Sequence, residues 1–316
     1  MEREMTTYEA VRVPVAGGEL AAGDWRADAP GPALLAVHGI TANHLAWSLA
    51  AETLPGTRVL APDLRGRGRS SGLPGPYGLV DHADDLARAL DARGIDRAVV
   101  AGHSMGGFVA VRLAERHPDR VESLVLVDGG LPLEPPPGIP AEEAAKAVLG
   151  PALARLSMRF ASPEAYVDFW RDHPGVGPYW NDAVEAYVRY DLDGEAPELR
   201  SSARPEAIAV NALELDGSAG YAAALAALDV PIEFLRAERG LLDQPEGLYA
   251  PGIPEQWALR LPTLRTREVR DVNHYSIIMT AGGLVHVIPV IEAHVAAATA
   301  AETSAPPAHV DKEVAS

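Results

Sequence analysis

Gly102-His103-Ser104-Met105-Gly106-Gly107 sets a serine among glycines between an apolar run, Val99-Val100-Ala101, and the helical pattern Phe108 to Arg116. A strand-turn-helix of this kind holds a serine on a tight bend with its hydroxyl exposed above the sheet, and small neighbours are needed where strand and helix nearly touch. Ser104 is therefore the candidate nucleophile. An attacking serine needs a base, an acid to orient that base, and backbone N–H groups for the oxyanion, each delivered by a different loop to one edge of a sheet. His274 follows the last strand pattern, which places it at the carboxyl edge as the candidate base. Met105, directly after the serine at a helix N-terminus, offers one oxyanion N–H.

The elements that must position these groups alternate in type. Tyr8 to Val15 and Glu19 to Arg26 read as a hairpin turning at Gly17-Gly18. Ala33 to Val37, Arg58 to Pro62 and Val121 to Val127 are short apolar runs, too short for helices and suited to strands buried on both faces. Helical spacing separates them at Leu45 to Leu54 and at Val80 to Arg93, the latter stopped by Gly94. This alternation implies a mainly parallel sheet with helices on both faces. Between the strands, Asp63-Leu64-Arg65-Gly66-Arg67-Gly68-Arg69-Ser70 carries three arginines. The intervening glycines favour a turn over a phosphate-binding patch.

Beyond Asp128-Gly129-Gly130 the alternation stops. Leu131 to Pro140 is proline-rich, and only helical patterns follow: Glu142 to Met158, Pro163 to His173, Asp182 to Tyr190, Pro205 to Leu213 and Gly220 to Leu228. Residues 131–229 are expected to form an inserted all-helical cap, with the core made of 1–130 and 230–298. The sheet resumes at Val230 to Arg236 and Leu264 to Val269, with a helix near Glu255 to Leu261 between them and a last helix from Leu284 to Ala298. Thr299 to Ser316 has the composition of a disordered tail. Phe160, Tyr166, Phe169, Trp170, Tyr179, Trp180, Tyr187 and Tyr190 concentrate aromatic surface in the cap, and Trp170, Tyr179 and Trp180 are the candidates for substrate contact. The remaining rings are needed for the cap's own core.

At 316 residues, with 27 Lys and Arg against 44 Asp and Glu, the chain has a formal net charge of −17. Such a balance disfavours nucleic acid and anionic membranes as partners. The absence of cysteine excludes disulfides, thiolate metal sites and a cysteine nucleophile. No basic n-region with an apolar core opens the sequence and no uninterrupted apolar run reaches about 18 residues, so a cytoplasmic location is the expectation.

From about residue 8 to 298 the chain resembles the α/β-hydrolase family, through His38-Gly39, Asp63 to Ser70, Gly102 to Gly107 and Asn273-His274 in that order. The resemblance implies an eight-stranded sheet, a second oxyanion N–H from Ile40, a role for His38 in shaping that loop, and His274 as the base. It leaves the acid open. Many family members carry an aspartate after the seventh strand, where this chain has Gly240. Asp128, ending the sixth strand, is the first candidate, with Glu238 and Asp243 as alternatives, while Asp271 is too local to face His274. His103 is expected to point away from the nucleophile. The resemblance implies a serine esterase, lipase or lactonase acting on a hydrophobic small molecule without cofactor or metal. Acyl transfer or cyclisation, carbon–carbon bond hydrolysis, and a non-catalytic receptor with a vestigial triad use similar parts and stay open.

Overall fold

The computed structural model describes residues 7–133, 140, 150 and 153–304. Along the chain come β1 (Tyr8–Val15), β2 (Gly18–Trp25), β3 (Ala33–Val37), α1 (Ser48–Thr53), β4 (Val59–Pro62), α2 (Leu79–Ala92), β5 (Ala98–His103), α3 (Met105–Arg116) and β6 (Val121–Val127). After them lie α4 (Pro163–Arg171), α5 (Asp182–Tyr190), β7 (Leu192–Asp193), β8 (Arg200–Ser201), α6 (Pro205–Ala212) and α7 (Tyr221–Ala226). The described chain closes with β9 (Ile232–Arg239), α8 (Ile253–Ala258), β10 (Leu264–Asn273), α9 (Ser276–Met279) and α10 (Ala281–Ser304).

Eight strands form one sheet in the order β1-β2-β4-β3-β5-β6-β9-β10, with antiparallel pairing confined to the two contacts of β2. Period-two geometry explains why the central strands are apolar throughout. Leu35, Val37, Val100, Leu124 and Leu126 enter one core layer, whereas Leu34, Ala36, Val99, Val125 and Val127 enter the other. The first layer is covered by α2, α3 and α7, the second by α1, α9 and α10. Ser104, Asp128 and His274 each directly follow a strand, β5, β6 and β10, and these run parallel with β9 between the last two.

Three boundaries differ from the sequence reading. The segment 153–229 is not all-helical: β7 pairs with β8, and Phe160 bridges Leu199. The extended backbone there converges on the buried Asp191 carboxylate, which accepts from the hydroxyls of Ser201 at 2.9 Å and Ser202 at 2.7 Å. Secondly, β10 runs on to Asn273 because a register shift after Val269, with Asp271 at φ +60°, lets the strand keep pairing with β9. Lastly, the terminal helix begins at Ala281 and continues to Ser304, so residues 299–304 are helix rather than tail. Residues 305–316 and most of the expected helix Glu142 to Met158 lie outside the described residues.

By length and composition α10 could cross a membrane. Here it packs on β5, β6 and β10, burying Leu284, Val287, Ile288, Val290 and Ile291.

The tightest packing is around the Ser104 turn. A Cβ on Gly106 would fall 2.1 Å from the Val37 carbonyl oxygen, where only backbone movement could make room. Gly106→Ala is expected to cost about 1–3 kcal/mol, the range for overpacking. At roughly 2–4 °C per kcal/mol for a chain of this size, that lowers the thermal midpoint by roughly 2–12 °C. Gly72→Ala, where a Cβ meets nothing within 4 Å, should stay within the roughly 0.5 kcal/mol of ordinary surface changes. Circular-dichroism melts of the two variants check the contrast.

Candidate active site

Ser104 sits between β5 and α3 at φ +55° and ψ −127°, a region that costs a non-glycine residue on the order of 1–3 kcal/mol. Its neighbours hold it there. The Ser104 N–H donates to the Val127 carbonyl at 3.0 Å, and the Ser104 carbonyl accepts from Gly107 N–H at 3.0 Å. Glycines admit the close approaches: a Cβ on Gly102 would lie 2.3 Å from the Gly106 oxygen, and one on Gly129 would lie 2.0 Å from the Ser104 oxygen. Ser104 itself remains partly exposed while the residues on either side are buried.

The Asp128 carboxylate is fully buried and each oxygen has one partner. Oδ1 accepts from Ala237 N–H at 3.0 Å, and Oδ2 accepts from His274 Nδ1–H at 2.7 Å. With Nδ1 as donor, the Nε2 of neutral His274 is left as an acceptor. Of the carboxylates considered from sequence, Asp128 is the one that the structure brings to His274. Glu238 instead accepts from the Asp271 N–H at 2.8 Å, capping the irregularity in β10. Asp243 accepts from Asn273 Nδ2 at 2.9 Å and from Tyr179 OH at 3.2 Å. At Gly240 a Cβ would fall 2.5 Å from the Glu246 carbonyl oxygen, so this loop is folded too tightly around that position for a carboxylate side chain to replace it unchanged.

The His103 side chain makes a structural bond to the loop that carries His274. Its Nε2–H donates to the His274 carbonyl at 2.7 Å, and the two rings lie 4.6 Å apart between centroids. Burial and the neighbouring His274 push its pKa well below the ordinary histidine value, so the ring is neutral and holds one tautomer. Asn273, one residue before His274, is fully buried and was named from sequence only as part of the Asn273-His274 motif, without a role of its own. Its Oδ1 accepts from Tyr275 N–H and Ser276 N–H at 2.9 and 2.8 Å, while Nδ2 donates to the Gly175 carbonyl at 3.0 Å. An amide preceding a candidate base histidine is the signal that could have found it.

On the other side of Ser104, Gly39 approaches so closely that an added Cβ would stand 3.2 Å from the serine Cβ. Ile40 and Met105 are both buried, Ile40 in the loop after β3 and Met105 as the first residue of α3. His38 fixes that loop: Nδ1–H donates to the Gly39 carbonyl at 2.8 Å, and Nε2 accepts from Leu64 N–H at 2.9 Å. Desolvation, opposed in part by Asp63, lowers its pKa to about 4. The rings expected to meet substrate divide. Trp170 packs edge-on against Tyr275, the neighbour of His274, at 6.3 Å, and under the Arg155 guanidinium at 5.0 Å. Tyr179 is engaged with Asp243 and Arg239, and Trp180 lies under Arg171 and donates to Glu185 at 3.3 Å. Among the described residues, no group of three or more His, Asp or Glu side chains is arranged to hold a metal ion.

His38, His82 and His103 are buried with pKa values below the ordinary one of about 6.5, desolvation being the largest cause in each. The unfolded chain therefore binds more protons than the folded chain below about pH 6.5, and stability must fall with pH in that range. The thermal midpoint is expected to be insensitive to these three groups above about pH 6.5 and to drop progressively as the pH is lowered toward about 4, where His38 also protonates. Calorimetry across that window checks it; a midpoint rising on acidification would contradict the neutral assignment.

An α/β-hydrolase fold family model matches residues 32–173. Lipase LipV of Mycobacterium tuberculosis is 42% identical over 105 residues, 33% of this chain and 40% of that protein. A putative carbamate hydrolase, RutD of Azorhizobium caulinodans, is 44% identical over 72 residues, 23% of this chain and 27% of that protein. These matches thus span less than half of either relative. Over nearly the whole fold, the crystal structure of E-2-(acetamidomethylene)succinate hydrolase superposes with a TM-score of 0.73 at 24% identity, covering 90% of this chain and 100% of that one. With the eight-stranded sheet, the serine turn and the order of the motifs, these likenesses agree: the chain has the α/β-hydrolase fold.

Proposed function

We propose that this chain is a serine hydrolase cleaving a carboxylic ester or lactone of a hydrophobic small molecule through an acyl-enzyme, with Ser104, His274 and Asp128 as its triad. The observation that carries the reading is the 2.7 Å bond from His274 Nδ1–H to the fully buried Asp128, which leaves Nε2 to serve as base next to the strained serine turn. In the first half-reaction His274 Nε2 takes the Ser104 proton as Oγ bonds to the substrate carbonyl carbon. The N–H groups of Ile40 and Met105 then hold the oxyanion, each donor contributing about 2.7–4 kcal/mol in transition states of this type. Collapse breaks the carbon–oxygen bond, and the alcohol leaves with the proton from His274. Water repeats the sequence on the acyl-enzyme, releasing the acid and restoring Ser104.

Asp128 keeps the imidazole in the required tautomer and stabilises the imidazolium that forms. The buried rings of Tyr166, Trp170 and Tyr187 support an apolar wall on this side, with Trp170 nearest the base through Tyr275. A lipase and a putative carbamate hydrolase among the relatives favour a hydrolase of carboxylic acid derivatives.

A fluorophosphonate probe is expected to label the intact chain at Ser104, and Ser104→Ala should abolish both labelling and hydrolysis of p-nitrophenyl esters. No labelling of the wild-type protein would sink the enzyme reading in favour of a binding protein. Asp128→Asn should lower kcat by about 10⁴-fold, as loss of the orienting acid does in a comparable triad, with Glu238→Gln retaining activity within about a factor of two. The opposite ranking would move the acid's role to Glu238.

A further inference from the structure

The loop that follows β3 is gripped from behind at three consecutive carbonyls. Gly39 O accepts from His38, Ile40 O accepts from Arg67 Nε–H at 2.9 Å, and Thr41 O accepts from Arg155 Nη2–H at 3.3 Å. In a trans peptide the carbonyl and the next N–H point in opposite directions. Holding the Gly39 carbonyl therefore aims the Ile40 N–H away from His38, and holding the Ile40 carbonyl fixes the following peptide plane.

Arg67 is the least expected of the three grips. It stands between Gly66 at φ +81° and Gly68 at φ +51°, and its side chain turns inward and is fully buried. Nη2 donates to Asn211 Oδ1 at 2.6 Å and lies 3.8 Å from the Met105 sulfur, while Nη1 donates to the Arg65 carbonyl at 2.8 Å and lies 3.4 Å from His82 Nε2. One guanidinium thus touches both residues assigned to the oxyanion hole, Ile40 and Met105. Its acceptors are carbonyl, amide and thioether groups, and no carboxylate among the described residues pairs with it. Leaving a guanidinium in the interior without an anion is costly. Burial lowers its pKa to about 9, which still keeps it charged at neutral pH. The position gives that charge a use, because negative charge that develops on a substrate oxygen would be held by the N–H groups of the two residues it touches.

We propose that Arg67 is the positioning residue of the oxyanion hole: it locks the Ile40 loop against the start of α3 and sets an uncompensated positive charge behind both donors. It acts through Ile40 and Met105 and does not touch substrate. The inference rests on the serine hydrolase reading above. Stabilisation that appears only with the oxyanion must register in kcat and not in KM.

The test uses the full-length chain, p-nitrophenyl butyrate, an alkyl trifluoromethyl ketone that forms a tetrahedral oxyanion adduct with serine, and the matching alcohol, which forms none. Arg67→Met is expected to lower kcat by about 100-fold with KM within about threefold, the size of effect seen on losing one oxyanion donor. Ketone binding should weaken by about the same factor and alcohol binding should be unchanged. Arg67→Lys keeps the charge but lacks the fork, and should lose only about tenfold in kcat. A folded Arg67→Met variant with kcat within about threefold of wild type, or equal weakening of ketone and alcohol, overturns the proposal. Should Arg67→Met fail to fold, Arg67→Lys decides alone: a kcat loss of about tenfold at constant KM supports the role, and a kcat within about twofold of wild type overturns it. A wild-type chain that neither turns over the ester nor binds the ketone covalently overturns the hydrolase reading and this inference together. An active wild type with Arg67 variants changed only in KM overturns this inference alone.

Discussion

Backbone runs against backbone where β5 turns into α3, and the site depends on that contact. The Ser104 carbonyl meets Gly129, the Gly106 position meets the Val37 carbonyl, and Gly107 meets the Gly129 carbonyl, each at a distance no Cβ would survive. Three loops are thereby pressed onto one serine: the one after β3, the turn itself, and the one after β6. The strained φ of Ser104 is tolerated because the Val127–Ser104 and Ser104–Gly107 bonds leave the residue no relaxed alternative. Asp128, immediately after β6 and itself at φ +47°, is carried into place by the same crowding.

Around that junction the polar side chains are neutral or fully paired wherever they are buried, with Arg67 the exception. His38, His82 and His103 are held neutral by desolvation, so each can present a lone pair or a single N–H in a fixed direction. Asp63 accepts from His44 Nδ1–H at 2.9 Å, Arg69 N–H at 2.8 Å and Tyr190 OH at 2.7 Å, which absorbs its charge in the turn that holds Arg67. The positive charge of Arg67 is left without such absorption, and it lies on the oxyanion side of Ser104 rather than on the His274 side. Around Ser104, a buried carboxylate is thus paired with His274, while a fixed cation braces the loop after β3.

How much of this could be read in the sequence follows from the range of each constraint. Gly102 to Gly107 reports its own geometry, since the glycines, the serine and the flanking apolar runs are contiguous. The alternation of strands and helices gave the layers for the same local reason. Among Asp128, Glu238 and Asp243 the sequence could rank Asp128 first but not separate it from the others, because the outcome depends on how far β9 and β10 run before turning, with a register shift after Val269. Glu238, one residue before the end of β9, and Asp128, directly after β6, lie at the same edge, yet only Asp128 bonds His274 Nδ1. Arg67 was hidden differently. A charged residue between two glycines reads as an exposed turn, and only long-range packing against Ile40, Met105 and Asn211 turns it inward. Trp180 shows the reverse case, an aromatic residue of the inserted segment whose partners are Arg171 and Glu185.

Among the described residues, the inserted segment ties to the residues around Ser104 and His274 through hydrogen bonds that differ in what they hold. Arg155 bonds the Thr41 carbonyl of the oxyanion loop while pairing with Asp191 at 2.7 Å; Asn211 holds Arg67; and the Gly175 carbonyl accepts from Asn273 beside the base. Each tie ends on a residue that sets the direction of an N–H or an imidazole, not on Ser104 itself. The serine is fixed by the sheet and its glycines, whereas the loop after β3 and the His274 loop are fixed partly by the insertion. A displacement of the insertion would therefore leave the nucleophile in place and disturb the oxyanion loop and the His274 loop together. This arrangement makes the inserted segment part of what aligns the loops around Ser104 and His274.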